Sequence, residues 1–304
     1  MTDSSLRRVG VSGLVVSSVG LGCNNFGRPG TATETLDGTR AVIDAAIDAG
    51  VTLFDTADMY GREPGLSESL MGEALKGKRD RVVLATKFGH SGRDVGLGGW
   101  GARGSRSYVR RAVEASLTRL QTDWIDLYQL HTPDPGTPIG ETLDVLDDLI
   151  REGKVRYIGH SNLAGWQIAE AELVARERLL ERFVSAQNHY SLLARGAERE
   201  VLPAAQHFGL GFLPFFPLHN GLLTGKFTRE GGPASSRIMS SRPHILDEAP
   251  WDALEAYQAF CDARGITMLQ ATFGWMLAQP SLASVIAGAT SAAQIVANVA
   301  AAEW

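Results

Sequence analysis

The chain predicts a closed (β/α)8 TIM barrel of the α/β class, preceded by a small β-hairpin. Three observations carry this. Strand-like apolar runs and helix-like amphipathic runs alternate eight times along the sequence, the pattern of parallel strands joined by crossover helices. A length of 304 residues with 44% hydrophobic content is ordinary for one barrel with a large core, so residues 1–304 are expected to form a single domain. Four chemically distinctive side chains, Asp55, Tyr60, Lys87 and His131, stand at or just past the ends of strand-like runs, where a parallel barrel builds its site.

The elements follow in order. Residues 7–9 and 14–16, around Gly10-Val11-Ser12-Gly13, read as the hairpin. The first barrel strand is 19–21. Helix 35–49 follows, with apolar Leu36, Val42, Ile43, Ala46 and Ile47 on one face and Gly50 as its stop. Strand 51–55 leads to helix 67–75, strand 82–87 to helix 107–120, and strand 125–131 to helix 139–151, which Gly153 ends. Strand 157–161 precedes helix 164–178, and strand 184–188 precedes helix 198–208. Strand 211–216 is followed by helices 251–264 and 267–278, and strand 284–287 by helix 292–302. Two long intervals, 90–106 and 227–250, read as loops overhanging the strand C-terminal ends; loops of this length are usually functional. The first holds Gly96-Leu97-Gly98-Gly99-Trp100-Gly101, a G-x-G-x-x-G match. It lies well past Lys87 and not in the strand–turn–helix context of a dinucleotide fingerprint, so it reads as a mobile active-site loop. A doubly wound sheet is accordingly disfavoured.

Composition narrows the function. A net charge of −5 offers no basic footprint for nucleic acid. The two cysteines, Cys23 and Cys261, match no metal spacing, and so sparse a thiol content suits a reducing cytoplasm. The first ten residues lack the apolar segment of a signal peptide, and no run is long and apolar enough to span a membrane. A cytoplasmic protein without a membrane partner is expected. The sequence stops inside a helical pattern at Trp304, which leaves room for a further C-terminal segment.

A carboxylate, a phenol, an ammonium and an imidazole together suit proton transfer. A free phenol has a pKa of about 10 and is a poor acid at pH 7. A unit charge about 4 Å away is worth roughly 4 kcal/mol at an effective dielectric near 20, or about three pKa units. Lys87 beside Tyr60 is therefore expected to bring the phenol toward working pH, with Asp55 as partner to Lys87. His131 can donate to a carbonyl oxygen and orient it. Such a set suits protonation of an oxygen that gains charge as hydride reaches its carbon. Taken singly, each residue has a plainer role as an ion-pair partner or packed side chain; it is the joint pattern that points to a site.

These residues carry a resemblance. Phe54-Asp55-Thr56-Ala57-Asp58-Met59-Tyr60-Gly61 is similar to the F-D-T-A-x-x-Y-G motif of the aldo-keto reductase family. Asp126-Leu127-Tyr128-Gln129-Leu130-His131, Gly159-His160-Ser161-Asn162, Gln187-Asn188-His189-Tyr190-Ser191, the stretch from Pro217 to Lys226, and Gly288-Ala289-Thr290-Ser291 extend the likeness over almost the whole chain. It is closest to the bacterial branch related to potassium-channel β subunits. The resemblance implies a barrel that binds NADPH without a Rossmann domain and reduces a small-molecule carbonyl.

Position by position, it implies Tyr60 as proton donor, Lys87 and Asp55 as the pair that activates it, and His131 as the residue that orients substrate. Ser161, Asn162 and Gln187 would hold the nicotinamide carboxamide, whose donors and acceptors such residues match. Phe215 would stack on the nicotinamide. Cys23 and Asn24 would line the cofactor, as would Phe216, Pro217 and Leu218. Lys226 and Arg237 would meet its phosphates, and Gly288, Thr290, Gln294 and Asn298 its adenosine end. Asn25, Phe26 and Trp100 would shape the substrate pocket. Phe216 replaces a usual Ser, and Gly288 and Gln294 stand where some relatives carry Lys and Arg against the 2′-phosphate. The remaining histidines, 90, 160, 189, 207, 219 and 244, read as surface or packing residues. A homo-oligomer is compatible with the sequence. The alternative function is an NADPH-binding regulatory subunit that senses redox state and turns over slowly.

Overall fold

The computed structural model describes residues 6–97, 102–234 and 236–304. Trp100, and most of the glycine-rich run that contains it, lie outside the described residues. Strands β1 (Leu6–Arg8) and β2 (Val15–Ser17) pair antiparallel, with Arg7 opposite Val16. Eight parallel strands follow: β3 (Val19–Gly22), β4 (Leu53–Asp55), β5 (Val83–Phe88), β6 (Ile125–Leu130), β7 (Val155–Ser161), β8 (Ser185–Gln187), β9 (Gly211–Phe212) and β10 (Val285–Gly288). Their spatial order is β10-β3-β4-β5-β6-β7-β8-β9. The ring closes beside β9, where the Phe212 N–H donates to Ser281 O (2.7 Å) and the Ala283 N–H to Phe212 O (2.9 Å). The sheet is thus the barrel the sequence predicts.

Helices α1 (Leu36–Asp48), α2 (Leu66–Ala74), α3 (Arg106–Leu120), α4 (Ile139–Arg151), α5 (Gly165–Arg178) and α6 (Val201–Phe208) each follow a barrel strand. Between β9 and β10 lie α7 (Arg237–Ser241), α8 (His244–Asp247), α9 (Trp251–Asp262) and α10 (Met268–Leu277), and α11 (Ala292–Ala302) comes last. Local chemistry starts several of these. The Thr35 side chain accepts from the Gly38 N–H at the head of α1, and Thr267 and Gln270 form a capping box at the head of α10. Leu143, Leu146 and Leu149 of α4 recur at helical spacing and are buried.

The main core lies between the outer face of the strands and these helices. A second cluster fills the bottom of the barrel. There Val9, Leu14 and Val16 of the hairpin pack on Leu53, Ala85, Leu127, Leu213, Ala283 and Ile286, so the hairpin plugs the N-terminal end of the strands. Among the described residues no helix is long and apolar enough to cross a membrane.

The structure departs from the sequence reading in three places. The predicted helix 198–208 begins as α6 only at Val201. Pro203 has no N–H to give Arg199, so it must fall in the first turn of a helix. The predicted strand 211–216 pairs as β9 over two residues, and Phe215 then bridges separately to His189; Pro214 interrupts the donors between them. The interval 227–250, read as loop, contains α7 and α8. Each is too short to leave a periodic signal in the sequence.

Candidate active site

Side chains alternate across a strand, and this builds the site as a polar layer directly above the apolar plug. Two residues beyond Leu53, Ala85, Leu127 and Ser185 stand Asp55, Lys87, Gln129 and Gln187, all buried. They bond to one another. The Lys87 ammonium donates to Asp55 Oδ2 (2.6 Å) and to Thr56 O (2.8 Å). Asp55 Oδ1 accepts from Gln129 Nε2 (3.1 Å) and Gln187 Nε2 (3.0 Å). A buried charge pair is stable only with its remaining valences satisfied, and the two glutamines satisfy the carboxylate. Gln129 was absent from the predicted set. Its period-two position on β6 was the available signal.

Tyr60 lies over this pair, with the Lys87 Nζ 5.4 Å from its ring centroid. Burial pushes the Tyr60 phenol up, Lys87 pulls it down and Asp55 pushes it up again, leaving it above its ordinary value. This corrects the expectation that Lys87 would bring the phenol toward neutrality. Desolvation is the largest cause and prevails over the pull of Lys87, which Asp55 offsets only in part. Burial also opposes the Lys87 charge, but Asp55 and Tyr60 outweigh it and hold the ammonium above its usual value.

His131 follows β6 and is 6% exposed. Its ring meets that of Tyr60 edge-on at 5.8 Å, and its Nδ1 has no hydrogen-bond partner. Burial, then Lys87 and His90, hold it well below the usual imidazole range, so it is neutral at working pH. His90, read as a surface or packing residue, lies 4.6 Å from His131 in a T-shaped contact. The site therefore rests with a protonated phenol, a charged lysine and a neutral imidazole.

The rim gathers the other predicted residues. Ser161 Oγ donates to Gln187 O (2.8 Å), and Asn162 Nδ2 donates to His131 O (2.9 Å) and Ser161 Oγ (3.0 Å). Asn162 adopts a left-handed backbone (φ 62°), a conformation asparagine tolerates. Phe215 stacks on His189 at 5.5 Å, and His189 in turn on His219 at 5.7 Å, a column of rings behind Phe215. Phe216 meets Phe215 edge-on at 5.4 Å. Pro217 is buried and Leu218 packs on the core. Cys23 is fully buried with its thiol toward Leu21 O (3.4 Å), behind the site and not on its surface. Phe26 is likewise fully buried, while Asn24 and Asn25 are partly exposed.

At the mouth, Lys226 is exposed. Gly221, at φ 109°, leaves it room, since a Cβ there would come 3.2 Å from its Nζ. Arg237 lies over the Phe216 ring with its Cζ 5.6 Å from the centroid. Two unpredicted arginines, Arg28 and Arg242, join it. At the head of α11, Ser291 caps the helix and Gln294 Oε1 accepts from the Thr290 N–H (2.7 Å); Asn298 is buried one turn on. Gly288 permits close approach of Asn25, whose Nδ2 would be 2.9 Å from a Cβ at that position.

The residues suit an anionic dinucleotide. Cations without carboxylate partners among the described residues, an aromatic ring backed by another and an amide-rich rim are the parts such a ligand needs. Among the described residues no group of His, Cys, Asp or Glu is placed to hold a metal ion.

Comparison with known proteins agrees with this chemistry. The profile of the Aldo/keto reductase family matches residues 18–304. The oxidoreductase YrpG of Bacillus subtilis is 39% identical over 295 residues, covering 94% of this chain and 87% of its own. The L-glyceraldehyde 3-phosphate reductase of Escherichia coli K12 is 32% identical over 306 residues, covering 96% and 86%. The versiconal hemiacetal acetate reductase of Aspergillus parasiticus is 35% identical over 306 residues, covering 90% and 85%.

Proposed function

This chain belongs to the aldo/keto reductase family and is an oxidoreductase, and from that premise we propose that it reduces aldehydes and ketones to alcohols with NADPH. The observation that carries the reading is the buried Lys87–Asp55 pair beneath Tyr60, with neutral His131 beside it. The bound nicotinamide would supply the hydride; the protein supplies position and the proton.

Tyr60 is the proton donor. A phenol held above its ordinary value keeps its proton until the carbonyl oxygen gains negative charge. Lys87 then stabilises the phenolate left behind, and Asp55 fixes Lys87. His131, neutral, donates its N–H to the carbonyl oxygen and turns it toward Tyr60. Both donors are in place before charge develops, which is the source of their advantage over water. Ser161, Asn162 and Gln187 would hold the carboxamide, and Phe215 would stack on the nicotinamide. Lys226 and Arg237 would meet the phosphates, while Thr290, Gln294 and Asn298 would meet the adenosine. Asn25 would border the substrate.

The test is steady-state oxidation of NADPH by purified protein against a panel of aldehydes and ketones. The expected result is turnover with reactive aldehydes and weaker turnover with NADH. Tight NADPH binding without turnover on any carbonyl would overturn the reductase reading and leave that of a binding subunit.

A further inference from the structure

Two guanidinium groups lie over the ring of Phe216, and a third, that of Arg28, lies within reach of their charge. Arg28 comes from the segment after β3, Arg237 is the first residue of α7, and Arg242 follows its last. The Cζ atoms of Arg237 and Arg242 lie 5.6 Å and 5.5 Å from the ring centroid. Arg28 and Arg242 are tethered by neutral amides only: Arg28 Nη1 donates to Asn25 Oδ1 (2.7 Å) and Arg242 Nη1 to Asn220 Oδ1 (3.1 Å). The three cations feel one another. Burial and then the charges of Arg242 and Arg28 pull Arg237 down to about 10, and burial with Arg242 lowers Arg28. No carboxylate among the described residues offsets this repulsion. The backbone beneath is held in the left-handed region at Phe216, His219 and Asn220 (φ 51°, 46° and 59°), and non-glycine strain of this kind clusters at ligand clamps.

Like charges held together on a constrained support require an anion of more than one charge. A phosphate monoester carries about 1.5 to 2 negative charges at neutral pH and three acceptor oxygens, and each guanidinium offers a fork of donors to it. We propose that Arg28, Arg237 and Arg242 form one phosphate-monoester site floored by Phe216, with Arg28 and Arg242 as specificity-determining residues.

The inference rests on the reductase reading. Two sources carry the same chemistry, the adenosine 2′-phosphate of NADPH and a phosphate on the carbonyl substrate. The first is favoured. Gly288 and Gln294 leave the adenosine end without a cation, and Asn25, which holds Arg28, lies against Gly288.

The test is fluorescence titration of NADPH and NADH against wild type, Arg28→Ala and Arg242→Ala, with melting curves as a control for folding. Each variant is expected to weaken NADPH by about ten- to a hundred-fold, the loss of a charge-assisted bond, and to leave NADH unchanged. Arg28→Lys and Arg242→Lys should fall between, keeping the charge but not the fork. Unchanged dinucleotide affinities, with a raised KM for glyceraldehyde 3-phosphate and not for glyceraldehyde, would assign the same site to substrate phosphate. Equal weakening of both dinucleotides, or no effect on any of these ligands, would overturn the proposal. A wild type that binds neither dinucleotide would sink the reductase reading instead. The site would then be judged by inorganic phosphate, which should raise the melting temperature of wild type and not of the Arg28→Ala, Arg242→Ala double variant; no rise in wild type would overturn it.

Discussion

The two ends of the barrel each hold arginines over an aromatic ring, and the two assemblies differ in one component. At the N-terminal end Arg79 and Arg156 lie 4.4 Å and 4.7 Å from the Trp124 ring. Both also reach Asp126, at 2.7 Å and 3.2 Å. That carboxylate further accepts from the Leu84 N–H (2.9 Å) and Trp124 Nε1 (3.2 Å). Arg79 spends its other donors on Thr122, Val82 and Trp124. Both guanidiniums there share one carboxylate inside the protein, so the assembly ties β5, β6 and β7 together. At the C-terminal end Arg237 and Arg242 face Phe216 with no carboxylate among the described residues. The residue types are nearly the same. The presence or absence of one carboxylate separates a brace from a binding site.

The comparison breaks or sharpens under mutation. Changes at the top should alter kinetics and not stability; changes at the bottom should do the reverse. The largest effect is expected for Tyr60→Phe, which removes the proposed general acid. Its kcat on a simple aldehyde should fall by about 10²–10⁴-fold while NADPH affinity and melting temperature hold. A variant with near wild-type kcat would remove Tyr60 from the mechanism.

Asp126→Ala comes next. It leaves Arg79, mostly buried, without its counter-charge, and breaking a buried pair in this way costs about 3–5 kcal/mol. Denaturant unfolding should show that loss, with kcat of the folded protein unaltered. Intact stability would refute the distinction between the two ends.

Arg237→Ala should weaken NADPH by roughly ten- to a hundred-fold, as for one charge-assisted bond, and NADH far less. Because the side chain is surrounded by like charge, melting temperature should not fall. Equal loss of both cofactors would show that Arg237 serves only the shared pyrophosphate.

The smallest effect belongs to the barrel wall between the ends. His160, buried and pulled by burial to about 3, and His131, also held well below its usual range, stay neutral in the fold. An unfolded histidine binds a proton below about pH 6.5. The unfolded state therefore gains protons first, and stability falls as pH drops from about 6.5 toward 3, by about 1.4 kcal/mol per pH unit for each fully titrating group. Melting temperatures between pH 7 and pH 5 should show the decline, and His160→Phe should flatten it. An unchanged slope in that variant would show that His160 is charged in the folded protein.

Much of the site was legible because a strand turns sequence spacing into geometry. Asp55, Lys87 and Gln187 end their strands on the inward face, so their meeting followed from the barrel itself. Tyr60 and His131 were legible from the motifs around them. Gln129 was missed: its period-two position on β6 was a signal, but spacing alone does not tie a glutamine in an apolar run to the Asp55 oxygen it serves. The direction of the Tyr60 shift was lost for a related reason. It depends first on how completely the phenol is buried, which spacing does not report. Arg28 and Arg242 lie in segments far apart in the chain, and only the folded mouth brings their charges together. In the fold, Pro203 and Pro214 were visible in the sequence and do explain the shortened elements; α7 and α8 were hidden by their brevity.

The hairpin has a consequence for the order of events. Val9, Leu14 and Val16 stop one end of the barrel with hydrocarbon, so the vessel is blind. Among the described residues Asp55, Lys87, Gln129 and Gln187 bond to one another and to Thr56 O, and not to the hairpin below. In the reductase reading, a proton given up by Tyr60 is replaced through the mouth that the product alcohol still occupies. Refilling must wait for departure, so each turnover carries one proton in and one product out by the same door, in alternation.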